Sequence, residues 1–159
     1  MTGLWDAGLL PYVLAAMALC AALVAGVFLT FSELVMPSLS VAQPAAGSEA
    51  MQIVNRRVFR TLFLTLTLGL GPVSALALWL GWGNPAIMAG AVAYLLGVIG
   101  VTVAGNVPMN ERLAAMPDGS AAAQAYWPAY AQGWTRWNHL RVLGGIVAAT
   151  AWMAAVLAA

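Results

Sequence analysis

The residues best suited to chemistry gather in one stretch, Trp134-Thr135-Arg136-Trp137-Asn138-His139-Leu140-Arg141. It holds the sole histidine, two of six arginines and two tryptophans, just ahead of an apolar run reaching Ala159. Ionisable groups at membrane depth are costly and usually face a bundle interior or a wet cavity. Imidazole changes charge near neutral pH, so His139 offers one general base or one metal ligand. No second histidine exists for a dinuclear Glu-x-x-His centre, so a metal site is not expected. On a helix, Trp134, Asn138 and Arg141 stand at i, i+4 and i+7 on one face, with Arg136 and His139 on the adjoining one. Both faces are expected to line one pocket.

Other segments supply matching groups. Gly26, Thr30, Glu33 and Pro37 form one helical line, so Glu33 is expected to point inward and pair with an arginine, which would keep its carboxylate charged. Gln52, Arg56 and Arg60 align at i, i+4 and i+8 with Asn55 and Phe59 beside them, and Asn106 and Asn110 come from a third segment. Arg56, Arg60 and Arg141 begin or enter apolar runs and are expected to have interior partners, whereas Arg57 and Arg112 read as topology signals. The expected result is a polar cluster at one end of the molecule, Glu33, Asn55, Arg56, Arg60, Asn106, Asn110, Asn138, His139 and Arg141, rimmed by Trp134 and Trp137. One reading is a clamp joining four helix ends, each polar contact worth about 0.6 kcal/mol in a membrane. A second is a ligand or reaction pocket. A third is a haem on His139, with Met36 or Met109 opposite, though no motif supports it.

The elements that must position these groups lie in a membrane. The chain is 63% hydrophobic and 7% charged, against roughly 25% charged in soluble domains, with a mean hydropathy of +0.88. Its 159 residues suit one domain of spanning helices, about four at roughly 20 residues each. A net charge of +1 without lysine or a basic run argues against nucleic acid and against a polybasic lipid-binding tail. Cys20 is alone, which excludes an internal disulfide and suits packing. The start, Met1 to Gly8, lacks a positive leader region, so the first helix is expected to be retained.

The expected class is all-α, an integral membrane four-helix bundle with an extra short interfacial helix before the last span. The apolar runs place spans near residues 9–36, 51–82, 86–107 and 138–159. Pro37 marks a stop, and Pro44, Gly47 and Ser48 a loop whose serine could cap the second helix. Pro72 suggests a kink, Pro108 an end or bend, and Pro117-Asp118-Gly119 a turn. Ser120 to Tyr130 reads as the short surface helix, with Tyr126, Trp127 and Tyr130 at the interface. An even span count puts both termini on one side. The positive-inside rule makes the arginine-bearing loops cytoplasmic and the termini external, as in a bacterial inner membrane. No internal repeat supports a transporter. Gly97 with Gly100, and Gly144-Gly145, permit close helix contact within a chain or in a homo-oligomer.

Gly26-Val27-Phe28 with Phe31-Ser32 and Met36-Pro37, then Met51-Gln52 and Asn55, then Asn106-Val107-Pro108-Met109-Asn110, then Trp134 with Trp137-Asn138-His139 and Arg141, resemble the anthrone oxygenase family of small four-helix membrane proteins. The resemblance implies oxidation of a tricyclic anthrone to an anthraquinone by dioxygen, without a dedicated flavin or metal. An anthrone has an acidic carbon whose enolate can reduce dioxygen directly. In that chemistry His139 would be the base, while Arg141, Asn138 and Asn110 would stabilise the enolate and peroxide. Trp134 and Trp137 would stack on the flat substrate, with Asn106, Asn55, Arg56 and Glu33 completing its site. The expected partners are a small hydrophobic aromatic substrate, dioxygen and the lipid bilayer. A haem protein and a non-enzymatic accessory membrane protein are the alternatives.

Overall fold

The computed structural model describes residues 8–158. Residues 1–7 and 159, where the expectation about a leader and the last residue of the final span fall, lie outside the described residues. All regular structure among the described residues is helical. Helix α1 runs Leu10–Val41, α2 Pro44–Arg57, α3 Leu62–Leu80, α4 Pro85–Ala114 and α5 Ala121–Leu157. Each of α1, α3, α4 and α5 is long and apolar enough to cross a bilayer, and leucines such as Leu19, Leu68, Leu96 and Leu143 stand exposed on the outer faces. In water such a surface would be unstable; in a bilayer it is the solvent-matched face. The protein is an all-α membrane helical bundle.

Local chemistry sets most helix starts. Thr61, Asn84 and Ser120 are N-caps whose side-chain oxygens accept from backbone N–H groups of α3, α4 and α5, and Pro44 and Pro85 open α2 and α4 at a position where no N–H is needed. Gly83, at φ 97°, makes the tight α3–α4 turn.

Three boundaries differ from the sequence expectation. The run 51–82 is two helices, because α2 begins at Pro44 and the chain breaks at Thr61, whose φ −117° and ψ 146° are extended. Gln52, Asn55, Arg56 and Arg57 make α2 too polar to enter hydrocarbon, so the apolar span starts only at Leu62. Ser48 is therefore inside α2, and its hydroxyl donates to the Pro44 carbonyl. The short helix expected at Ser120–Tyr130 is continuous with the last span, passing through Pro128. Trp127 and Tyr130 explain this: they are buried in a core rather than lying at the interface. The short non-spanning helix of the fold is α2.

The third difference concerns two prolines. Neither Pro37 nor Pro108 ends its helix. Each is preceded by a π turn, Phe31–Val35 in α1 and Thr102–Asn106 in α4, in which the residue before the proline donates five residues back: Met36 to Phe31 and Val107 to Thr102. The widened turn shifts the hydrogen-bonding frame just ahead of a residue without an N–H, so the helix continues. Each π turn also carries one buried polar residue, Ser32 or Asn106.

Helix α5 is central, packing along α1 on one side and α4 on another. Two apolar cores result. One includes Leu14, Val24, Phe28, Tyr94, Val98 and Trp152; the other includes Met36, Met51, Leu113, Trp127, Tyr130 and Trp134. On α1 the sequence between them holds Ser32, on α4 Asn106, and on α5 Asn138 and Arg141, all buried. A polar layer divides the core.

Candidate functional site

Asn138 is the hub of that layer. It is wholly buried, and its Nδ2 donates to the Phe28 carbonyl at 2.6 Å and to Ser32 Oγ at 2.7 Å. Its Oδ1 accepts from Arg141 Nη2 at 2.7 Å. The guanidinium carbon of Arg141 lies 4.2 Å from the Phe28 ring centroid and 5.0 Å from that of Trp134. Asn106 Nδ2 donates to the Trp134 carbonyl at 3.1 Å. Side-chain hydrogen bonds thus join α5 to α1 through Asn138 and to α4 through Asn106, and Ser32 and Asn106 are the buried polar residues that the two π turns carry.

His139 and Arg136 do not enter this layer. Both are exposed and line a groove of about 550 Å³ on the outside of the bundle, between the end of α1 and the first half of α5. Buried Met36, Trp127 and Ala131 form its apolar floor; Ser40, Gln132, Thr135, Arg136 and His139 supply polar groups. That volume falls in the range of about 300–1,000 Å³ usual for small-molecule sites. The expectation that both faces of the Trp134–Arg141 stretch line one pocket is therefore not met. The i, i+4, i+7 face turns inward against Phe28 and Ser32, and the other turns out to the groove.

The remaining sequence candidates are scattered. Glu33 is exposed, and the expected ion pair with an arginine does not form; the turn of α1 that holds it directs Ser32 inward instead. Arg56 is likewise exposed and bonds Asp118 in a two-pronged contact of 2.7 and 2.8 Å, the one ion pair among the described residues. That hydrogen bond holds the Asp118 carboxyl below the usual carboxylate range and raises Arg56 in turn. Arg60 is exposed too. Asn55 and Asn110 meet on the Tyr130 hydroxyl, at 3.3 and 2.8 Å. Trp137, 39% exposed, is packed by its ring against Gly105, where no Cβ would fit.

Sequence reasoning missed Ser32, Phe28 and Tyr130 as members of these networks, and underrated Gln52. The Gln52 amide, almost fully buried, donates to the Leu113 and Met116 carbonyls and accepts from the Gly119 N–H, so α2 is fastened to the α4–α5 connection. The Met36-Pro37 and Val107-Pro108 steps, each with a polar residue in the turn ahead, were the available signal for the π turns.

Among the described residues no three of His, Cys, Asp and Glu converge as metal ligands. Met36 shares the groove with His139, whereas Met109 packs against Gly133.

A family model described as anthrone oxygenase matches residues 48–151, from within α2 through most of α5. No curated protein and no solved structure gives a significant match.

Proposed function

The chain belongs to the anthrone oxygenase family, and from that premise we propose that it is a membrane oxygenase that oxidises a flat, acidic phenolic or anthrone-like substrate held in the outer groove. The observation that carries this reading is the placement of His139, the sole imidazole, beside Arg136 at the rim of a groove floored by Trp127 and Met36. A flat ring system leaving the bilayer would lie on the apolar floor, with its carbonyl toward Arg136 and its acidic carbon toward His139.

His139 takes a proton from that carbon, and Arg136 stabilises the negative charge that moves to the carbonyl oxygen. The enolate then gives electrons to dioxygen and forms a carbon–oxygen bond, yielding a peroxide that is protonated to the hydroperoxide. Loss of the second proton from the same carbon breaks the oxygen–oxygen bond, leaving a new carbonyl, while the other oxygen departs as water. One dioxygen is consumed and the balance needs no added reductant or dedicated cofactor. Asn138 and Arg141 do not touch the substrate in this reading, because both are buried, Arg141 against the Phe28 and Trp134 rings. The roles first expected for them at the reacting centre pass to Arg136. The arginine-bearing end faces the cytoplasm by the positive-inside rule.

The experiment is dioxygen uptake by the detergent-purified protein with anthrone, with and without a chelator. Uptake matching quinone formation, unaffected by chelator and lowered at least about 100-fold by His139→Gln, is expected; uptake unchanged in that variant removes His139 as the base. Because Met36 and His139 share the groove, a haem held there is the second reading. A Soret band in stoichiometric amount in the purified protein would select it over the cofactor-free route.

A further inference from the structure

We propose that the buried polar layer is a binding site for a small monovalent anion, held by Arg141 and Trp134 between α1, α4 and α5 and separate from the groove. Arg141 is 6% exposed, its one side-chain hydrogen bond is to neutral Asn138, and no carboxylate pairs with it among the described residues. Its Nε–H has no partner. The indole Nε1–H of Trp134, whose ring lies 5.0 Å from the guanidinium, has none either, and neither does Oδ1 of Asn106, whose Nδ2 donates to the Trp134 carbonyl. Buried polar groups are nearly always satisfied, and three of the four orphans among the described residues lie in this one layer, which points to a ligand there.

Charge decides what the ligand is. A water would answer the hydrogen bonds but leave a cation uncompensated at membrane depth, where the effective penalty is several kcal/mol. The contacts with Phe28 and Trp134 offset only about 1–2 kcal/mol each. An anion accepting from Arg141 Nε–H and Trp134 Nε1–H satisfies both donors and neutralises the charge. If it also bears an O–H, that group donates to Asn106 Oδ1. One guanidinium charge matches one monovalent ion, and the close packing of the Phe28 and Trp134 rings on that guanidinium, at 4.2 and 5.0 Å, favours a small one. The occupant that fits this chemistry is a small anion of the medium, such as a halide.

The test uses the whole protein in micelles, labelled with nitrogen-15, titrated with sodium azide or bromide against sodium gluconate at constant ionic strength. The Trp134 indole and Arg141 Nε–H signals should shift together and saturate. Arg141→Gln should abolish the Trp134 shift. Should that variant not fold, Trp134→Phe keeps the cation and should weaken binding about tenfold, as loss of one charge-assisted hydrogen bond does. Signals unmoved by 100 mM-range anion, or a shift that survives Arg141→Gln, overturns the site. Anion at concentrations that saturate the signals should leave dioxygen uptake unchanged, because the layer is separate from the groove. The titration needs no turnover, so failure of the oxygenase reading leaves it standing.

Discussion

Replacing Asn138 by alanine should unpin the two longest helices. In the folded protein Asn138 makes three hydrogen bonds, to Phe28 O, Ser32 Oγ and Arg141 Nη2. The first two are neutral interhelical contacts of a kind worth about 0.6 kcal/mol each in a membrane. The third is to a charged group, about 1.5–3 kcal/mol, and its loss leaves the Arg141 side chain with no hydrogen-bond partner in the protein. Ser32 can turn its hydroxyl to a carbonyl of its own helix, which recovers part of one neutral bond. The expected loss is therefore about 2–4 kcal/mol. The assay is reversible unfolding in mixed micelles by increasing SDS fraction, followed by circular dichroism, with Ser32→Ala as the small-effect control at about 0.6 kcal/mol. A loss for Asn138→Ala below about 1 kcal/mol, or equal to that of Ser32→Ala, would refute the claim that this layer holds the bundle together.

Other outcomes follow from the same geometry. Gln52→Leu removes three contacts that hold α2 to the α4–α5 connection and leaves the two carbonyls and the N–H without it, so a loss of about 2–3 kcal/mol and faster proteolysis near Asp118 are expected in the same micelles. A Cβ on Gly144 would sit 2.7–2.8 Å from the Gly97 backbone, so Gly144→Val should separate α4 from α5 and cost at least about 1–3 kcal/mol, whereas Gly26→Ala, with nothing within 4 Å, should be neutral in the unfolding assay. Asp118 is held below its ordinary range by Arg56. Its contribution is thus full above the ordinary carboxylate range and is lost as pH falls through the lowered folded value; hydrogen exchange of α2 should rise on that descent, and Asp118→Asn should remove the pH dependence.

How much of this was legible in the sequence depended on whether a residue's face could be inferred from spacing alone. Helical periodicity put Asn138 and Arg141 on one face and His139 on the next, and the structure keeps that division. What spacing could not show is that one face turns into a buried polar layer and the other to an outer groove, since that depends on which way α5 rolls against α1. Glu33 was misplaced for a related reason: Gly26, Thr30, Glu33 and Pro37 do share one face of α1, but that face is exposed, and the inward line is Val24, Phe28, Ser32 and Met36. Pro37 reads as a stop and Pro108 as an end or bend because the compensating i→i+5 bonds at Met36 and Val107 are properties of the packed helix. The break at Thr61 was hidden because Arg56, Arg57 and Arg60 read equally well as the charged end of one long span.

The most direct test of the groove reading separates proton removal from oxygen chemistry. Anthrone incubated with the purified protein in deuterated buffer, without dioxygen, should exchange the hydrogens of its acidic carbon faster than in matched micelles alone, and His139→Gln should return exchange to the micelle rate. Exchange as fast in His139→Gln as in the unaltered protein would contradict the assignment of His139 as the base.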